Sequence, residues 1–201
     1  MTCIITYEQQ GSPEWFASRV GIPGASSFDQ IVTTKGTPSE SRYKLMYQLA
    51  GERILGVKED TYCSPAMLRG TTLEPEARSV FEMLMEMEVK QTGFIYYDER
   101  RDRGCSPDGL IWDFSGLEIK CPLLTTHIGY LLKGVLPTSY FQQTQGAMYA
   151  TGRSSWYFMS YYPGLKPLIV ECKRDEVFIK ALHENLDLFC QGIDDIVKKI
   201  R

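Results

Sequence analysis

The sequence predicts a mixed α/β domain, a central sheet with helices on both sides. Strand-like runs gather between positions 92 and 173, amphipathic helical stripes surround them, and 43% apolar content in 201 residues fills one substantial core. Pro13 to Ile31 reads as two short helices joined by Gly21-Ile-Pro-Gly24, with Ser12 and Pro13 opening the first and Ser26 or Ser27 capping the second. Tyr43, Met46, Tyr47, Ala50 and Ile54 repeat at helical spacing until Gly56. A further helix begins at Ser64-Pro65, with Leu73, Ala77, Val80, Phe81 and Leu84 as its apolar stripe.

Thr92 to Tyr97 is the first expected strand of the sheet. A hairpin follows, with Leu110 to Phe114 and Leu117 to Cys121 as strands and Ser115-Gly116 as turn chemistry. Thr125 to Leu136 reads as a loop or broken helix, and Pro137 to Ala150 as a helix stopped by Gly152. Ser155 to Tyr162 and Leu168 to Lys173 are aromatic and β-branched strands around Pro163-Gly164. Asp175 caps a final helix whose Phe178, Leu182, Leu186, Phe189, Ile193, Ile196 and Ile200 form one stripe.

Composition narrows the function. No apolar run reaches membrane-spanning length and no signal pattern opens the chain, so the expectation is a cytoplasmic protein without a membrane partner. Six scattered cysteines without a CxxC, and only two histidines, argue against zinc or an iron-sulfur cluster and fit reduced thiols. A formal charge of −3 is unexpected for a DNA binder. Metal ions bound at a site would supply positive charge of their own.

The chemistry concentrates in Cys105-Ser-Pro-Asp108-Gly-Leu and Gly116-Leu-Glu118-Ile-Lys120-Cys-Pro. Glu118 and Lys120 leave the same strand face, and Asp108 falls on that face too if Gly116 takes the left-handed position of a three-residue loop. A flat ladder would leave Asp108 far from Glu118, so twist or a bulge must close the gap. Two carboxylates and a main-chain carbonyl make a hard oxygen site suited to Mg²⁺ or Mn²⁺, and a neighbouring lysine can orient or deprotonate water or offset charge on a phosphate. As plain surface the pattern is a turn and a solvated charged face. Here the charges alternate with Leu117, Ile119 and Cys121, so the strand is partly buried and its charges need partners.

Ser106-Pro-Asp-Gly-Leu110 and Gly116-Leu-Glu-Ile-Lys-Cys-Pro122 resemble the PD-(D/E)xK nuclease core of the lambda exonuclease and YqaJ-type viral recombinase family. The resemblance implies a restriction-endonuclease-like core over 64–173, N-terminal helices over 1–60 that contribute a 5′-phosphate pocket, and a terminal helix over 175–201, all in one domain of 1–201. Arg19-Val-Gly-Ile-Pro-Gly-Ala-Ser26 is similar to the segment that grips the terminal phosphate, with Arg19 as anchor and Ser26 assisting; Gly24 replaces the family's threonine. Gly70-x-x-x-Glu74-x-x-Ala77-Arg78 matches a family pattern that selects Glu74 as a further metal ligand, where periodicity cannot choose between Glu74 and Glu76. Met67 stands at the family's apolar wedge, and as a lone methionine reads equally as core. Tyr140-Phe-Gln-Gln143 aligns Gln143 with a glutamine beside the attacking water, with Gln142 and Gln145 as open alternatives.

Taken together, the resemblance implies a Mg²⁺-dependent exonuclease acting on double-stranded DNA ends from the 5′ side, releasing mononucleotides and leaving a 3′ strand for annealing. Two ions would lie among Glu74, Asp108, Glu118 and the Ile119 carbonyl, Mn²⁺ substituting, with Lys120 and Gln143 at the water. It further implies a homotrimeric ring and a possible single-strand annealing protein as partner. The rival classes are a PD-(D/E)xK endonuclease of restriction or repair type, which would cut closed circles, and a metal-independent DNA-end binding module.

Overall fold

The computed structural model describes residues 2–59 and 64–201; Cys63 and the approach to Ser64 lie outside the described residues. Two sheets form. Short strands β1 (Ile4–Ile5), β2 (Ile95–Tyr96) and β3 (Gly104–Cys105) pair antiparallel in that order. The second sheet, β4 (Gly109–Ile111), β5 (Ser115–Lys120), β6 (Ser155–Ser160) and β7 (Leu168–Lys173), is mixed: β5 and β6 are parallel, the other pairs antiparallel. The expected Thr92–Tyr97 strand is therefore shorter and sits outside the main sheet, because its partners are β1 and β3.

The parallel pair needs a crossover, supplied by α4 (Leu124–Lys133), a 3₁₀ turn at Thr138–Tyr140 and α5 (Phe141–Thr151). The stretch expected as loop or broken helix is thus helical up to Gly134, whose φ of 66° ends it. His127 holds α4 to the sheet, accepting from or donating to Ser160 Oγ at 2.8 Å and bonding the Lys166 carbonyl at 3.1 Å. The carbonyl only accepts, so Nε2 carries the proton and Ser160 donates to Nδ1.

Before the sheets come α1 (Pro13–Ala17), a 3₁₀ helix at Ala25–Gln30, α2 (Arg42–Leu55) and α3 (Pro65–Met85); α6 (Glu176–Ile200) closes the fold. Ser12, Ser64 and Asp175 accept backbone N–H groups at the starts of α1, α3 and α6. The 3₁₀ helix starts from Gly24 without a side-chain cap, and Ser27 Oγ turns back to the Gly24 carbonyl at 2.8 Å, so neither Ser26 nor Ser27 caps it as expected. The α2 stripe is rotated from its expected face: Leu45, Met46, Leu49 and Ala50 are buried against α6, whereas Tyr43 and Tyr47 are exposed.

Strand alternation divides the interior. Trp156 and Phe158 join the larger cluster with α2, α5, α6 and Phe28. Leu117, Ile119 and Met159 face Ala77 and Phe81 of α3 in the smaller one. None of the described helices is long and apolar enough to cross a membrane.

The hairpin turn is Trp112-Asp113-Phe114, not Ser115-Gly116, and Trp112 rather than Gly116 takes the left-handed conformation, φ 47°. Gly116 pairs with Leu110 inside the ladder. It is glycine because of its neighbour: a Cβ there would lie 2.4 Å from the Trp156 ring. Arg153 Nη1 holds the turn by the carbonyls of Ile111, Trp112 and Ser115, at 3.3, 2.6 and 2.9 Å. Gly116→Val is expected to cost about 2 kcal/mol or more through overpacking on Trp156, read as a fall in denaturation midpoint; an unchanged midpoint would refute the packing argument.

Candidate active site

The β4–β5 register settles how the hairpin acids meet. The regular pairing ends at Gly109–Leu117, and Asp108, the residue just before it, departs from the ladder to lie beside Glu118 and Ile119 of β5. Asp108 N–H donates to the Leu117 carbonyl at 3.2 Å, and Asp108 Oδ2 accepts the Ile119 N–H at 2.6 Å. The N–H and C=O of one extended residue point to the same edge, so the Ile119 carbonyl also faces Asp108. The Lys120 carbonyl points the other way and accepts Tyr161 N–H at 2.8 Å.

Glu118 is only 3% exposed. Its Oε1 receives Lys120 Nζ at 2.5 Å and Gln143 Nε2 at 2.6 Å. Gln143 is thus the glutamine at these acids. Gln142 donates to the Val32 carbonyl at 3.3 Å, and Gln145 joins the Lys173 carbonyl at 2.8 Å to the Asp175 N–H at 2.9 Å, fastening α5 to the start of α6. α3 separates its two glutamates as well. Glu74 pairs with Arg78, while Glu76 accepts from Tyr161 Oη at 2.5 Å.

The electrostatics follow from burying like charges together. Burial holds Asp108 well above the usual carboxylate range, the Glu118 and Glu74 charges add to this, and Lys120 and the Ile119 N–H oppose it. Burial also raises Glu74, with Arg78 opposing and Glu118 reinforcing. For Lys120 burial alone would lower the pKa, but Glu118 and Asp108 outweigh it and raise it. In this arrangement Lys120 is a fixed cation and donor, not a ready base.

Two clefts meet at these residues. One, of about 180 Å³, is lined by Trp15, Arg19, Ser26 and Ser106 together with Asp108, Glu118, Lys120 and Gln143. The other, of about 410 Å³, is lined by Met67, Glu74, Ile119 and Tyr140, again with Asp108 and Lys120. Arg19 lies flat over the Trp15 ring, 3.9 Å from its centroid, and no carboxylate among the described residues reaches it. Burial lowers its pKa and the Glu52 charge opposes that shift. Ser26 is exposed in the same pocket. Met67 is 56% exposed at the second cleft, which removes its reading as core.

Among the described residues no three His, Cys, Asp or Glu side chains stand together as a ready cation cage. The reason is visible in the partners: Glu74 has turned to Arg78 and Glu118 to Lys120. The converging donors, Glu74, Asp108, Glu118 and the Ile119 carbonyl, are all oxygen, and that chemistry fits Mg²⁺ or Mn²⁺ once the two glutamates swing from their cations.

Three contributors escaped the sequence reading. Arg78 Nε donates to the Asp108 carbonyl at 3.2 Å while pairing with Glu74; its i,i+4 spacing from that acid was a usable signal. Trp15 lies four residues before Arg19 and donates to Ser106 Oγ at 3.1 Å, joining the Arg19 cleft to the hairpin. The Tyr140 ring stands 5.3 Å from Lys120 Nζ and stacks on Phe158; its pairing with Lys120 spans the crossover and left no local signal.

Comparison with known proteins places this geometry. Residues 14–154 match the YqaJ-like viral recombinase domain. The structure is similar to that of the alkaline exonuclease LHK-Exo from Laribacter hongkongensis, with a TM-score of 0.86 and 31% identity over 94% of this chain and 96% of that one. The crystal structure of LHK-Exo in complex with dAMP gives the same values. A phage related exonuclease from Haemophilus somnus 129PT shares the fold, with a TM-score of 0.70 and 14% identity over 90% of this chain and 96% of that one. No curated protein matches the sequence. With the family model spanning most of its length and a 31% identical relative of nearly equal extent, the chain belongs to the YqaJ-like viral recombinase family.

Proposed function

We propose that this protein is a Mg²⁺-dependent DNA exonuclease that degrades linear duplex from the 5′ end to mononucleotides and leaves 3′ single strands for annealing. The observation that carries the reading is the shared wall. Asp108 and Lys120 line both the pocket that holds the unpartnered Arg19 and the cleft that holds Glu74 and Met67. A terminal phosphate on Arg19 and Ser26 would bring the next phosphodiester to the acids. The crystallised complex of LHK-Exo with dAMP, a mononucleotide, agrees with such a product.

Glu74, Asp108, Glu118 and the Ile119 carbonyl would hold two divalent ions, whose chemistry is Lewis acidity at the phosphate and a more acidic water. The protein's own groups do the rest. Lys120, held on Glu118 and against Tyr140, donates to the attacking water and offsets charge gathering on the phosphate. Gln143 fixes the Glu118 carboxylate and turns its amide toward the same water. Met67 sits where an apolar side chain can part the terminal base pair. A closed trimer with an annealing partner belongs to the same proposal; a monomer mass in sedimentation over a wide concentration range would remove the ring from it.

The test is digestion of linear duplexes with 5′-phosphate or 5′-hydroxyl ends, and of closed circles, with Mg²⁺ and with EDTA. The expected result is metal-dependent release of mononucleotides from linear DNA, faster from the phosphorylated end. Cutting of the circle would establish an endonuclease instead. In the same assay Lys120→Ala should lower turnover by about a thousandfold, with duplex binding retained; near-normal cleavage would sink the assignment.

Stability supplies an independent reading. A carboxyl whose folded pKa is raised favours the fold below its unfolded pKa and loses that contribution as pH rises through the folded value. In metal-free protein Asp108→Asn should therefore be more stable than wild type at pH 8, by about 1–2 kcal/mol. The gap should close as the pH falls toward about 4. Thermal melts in EDTA at both pH values check this, and a gap that widens on acidification would refute it.

A further inference from the structure

The phosphate pocket rests on a carboxylate that the proposed reaction does not use. Glu52, on α2, is 2% exposed, a position acidic side chains rarely occupy without a task. Its Oε2 accepts the Gly21 N–H at 2.9 Å, and Oε1 receives Gln48 Nε2 at 3.2 Å and, more loosely, the Glu59 N–H at 3.4 Å. Lys58 Nζ lies 3.9 Å from the same oxygen. The next residue completes the grip, since Arg53 Nε donates to the Gly21 carbonyl at 2.8 Å and Nη1 pairs with Asp194 of α6 at 2.6 Å. Both backbone polar groups of Gly21, its N–H and its carbonyl, are thus held by consecutive residues of α2.

Gly21 has a φ of 64°, and a Cβ there would fall 2.2 Å from Arg53 Cγ and 2.8 Å from the Leu49 carbonyl. The contact admits glycine alone. Arg19 lies two residues upstream and the pocket residues Gly24 to Ser26 lie just downstream. Glu52 has a second effect on charge. It stands 3.9 Å from Lys58 Nζ, and its charge opposes the burial that lowers the pKa of both Lys58 and Arg19.

We infer that Glu52 is the positioning residue of the phosphate pocket: through the Gly21 N–H it fixes the turn that aims Arg19, and so sets the preference for a 5′-phosphorylated end. The inference rests on the pocket reading proposed above. It acts by reach, so a side chain that keeps the acceptor at the same distance should serve and a shorter acid should not.

Steady-state kinetics on 5′-phosphate and 5′-hydroxyl duplexes distinguish these variants, with circular dichroism as a check on folding. Glu52→Gln should keep the wild-type preference within about twofold. Glu52→Asp, which retains the charge but not the reach, should lower that preference about tenfold, through KM on the phosphorylated end and with little change in kcat. An Asp variant like wild type, a Gln variant that loses the preference, or an equal loss on both ends would overturn the role of Glu52 while leaving the pocket standing. A wild type indifferent to the end phosphate would overturn the pocket and this role together.

Discussion

Two carboxylates buried together at the open end of an antiparallel pair are the constraint on which this fold turns. Asp108 and Glu118 repel one another, and burial denies them the water that would screen the repulsion. The surroundings are organised to pin them. The Ile119 N–H fixes one, Lys120 and Gln143 fix the other, and Arg78 reaches from α3 to the backbone behind Asp108. They come from three elements, β5, α5 and α3, so the site exists only when these and the start of the hairpin that carries Asp108 are all in place. Such a cluster of buried like charges lowers stability, as strain concentrated at functional sites does.

The same arrangement explains why the acids do not form a ready cage. In a dry pocket each carboxylate takes the nearest positive charge, and Arg78 and Lys120 act as internal counter-ions for Glu74 and Glu118. Cation entry would exchange one set of partners for another without unfolding any backbone. Neither lysine nor arginine then lacks a companion, because Lys120 still lies against the Tyr140 ring and Arg78 still bonds the Asp108 carbonyl.

Local patterns made the helix starts, the terminal stripe and the acid-bearing hairpin legible in the sequence. Ser12, Ser64 and Asp175 cap as their positions announce, and Phe178 through Ile193 are buried in step. Features decided by distant partners were not legible. Gly116 looks like turn chemistry but answers to Trp156, on a strand forty residues away in sequence. Tyr43 and Tyr47 repeat with α2 yet face solvent, because α6 packs on the adjoining stripe. α4 stays open between loop and broken helix in the sequence, since His127 is its one buried residue and the stretch carries no long apolar stripe. In the site, periodicity left Glu74 against Glu76 and Gln143 against its neighbours open, and only tertiary contacts with Arg78, Tyr161 and Glu118 divide them.

Arg153 lies at the end of the hairpin remote from the acids, yet it bears on them. By gripping the carbonyls of Ile111 and Ser115 on either side of the turn and of Trp112 within it, it fixes how many residues the loop contains. In a two-residue repeat, a slip of one position would send Glu118 and Lys120 into the apolar layer under α3 and bring Leu117 and Ile119 into the clefts. The guanidinium therefore works as a register lock, deciding from the far end of the ladder whether the strand presents chemistry or merely core.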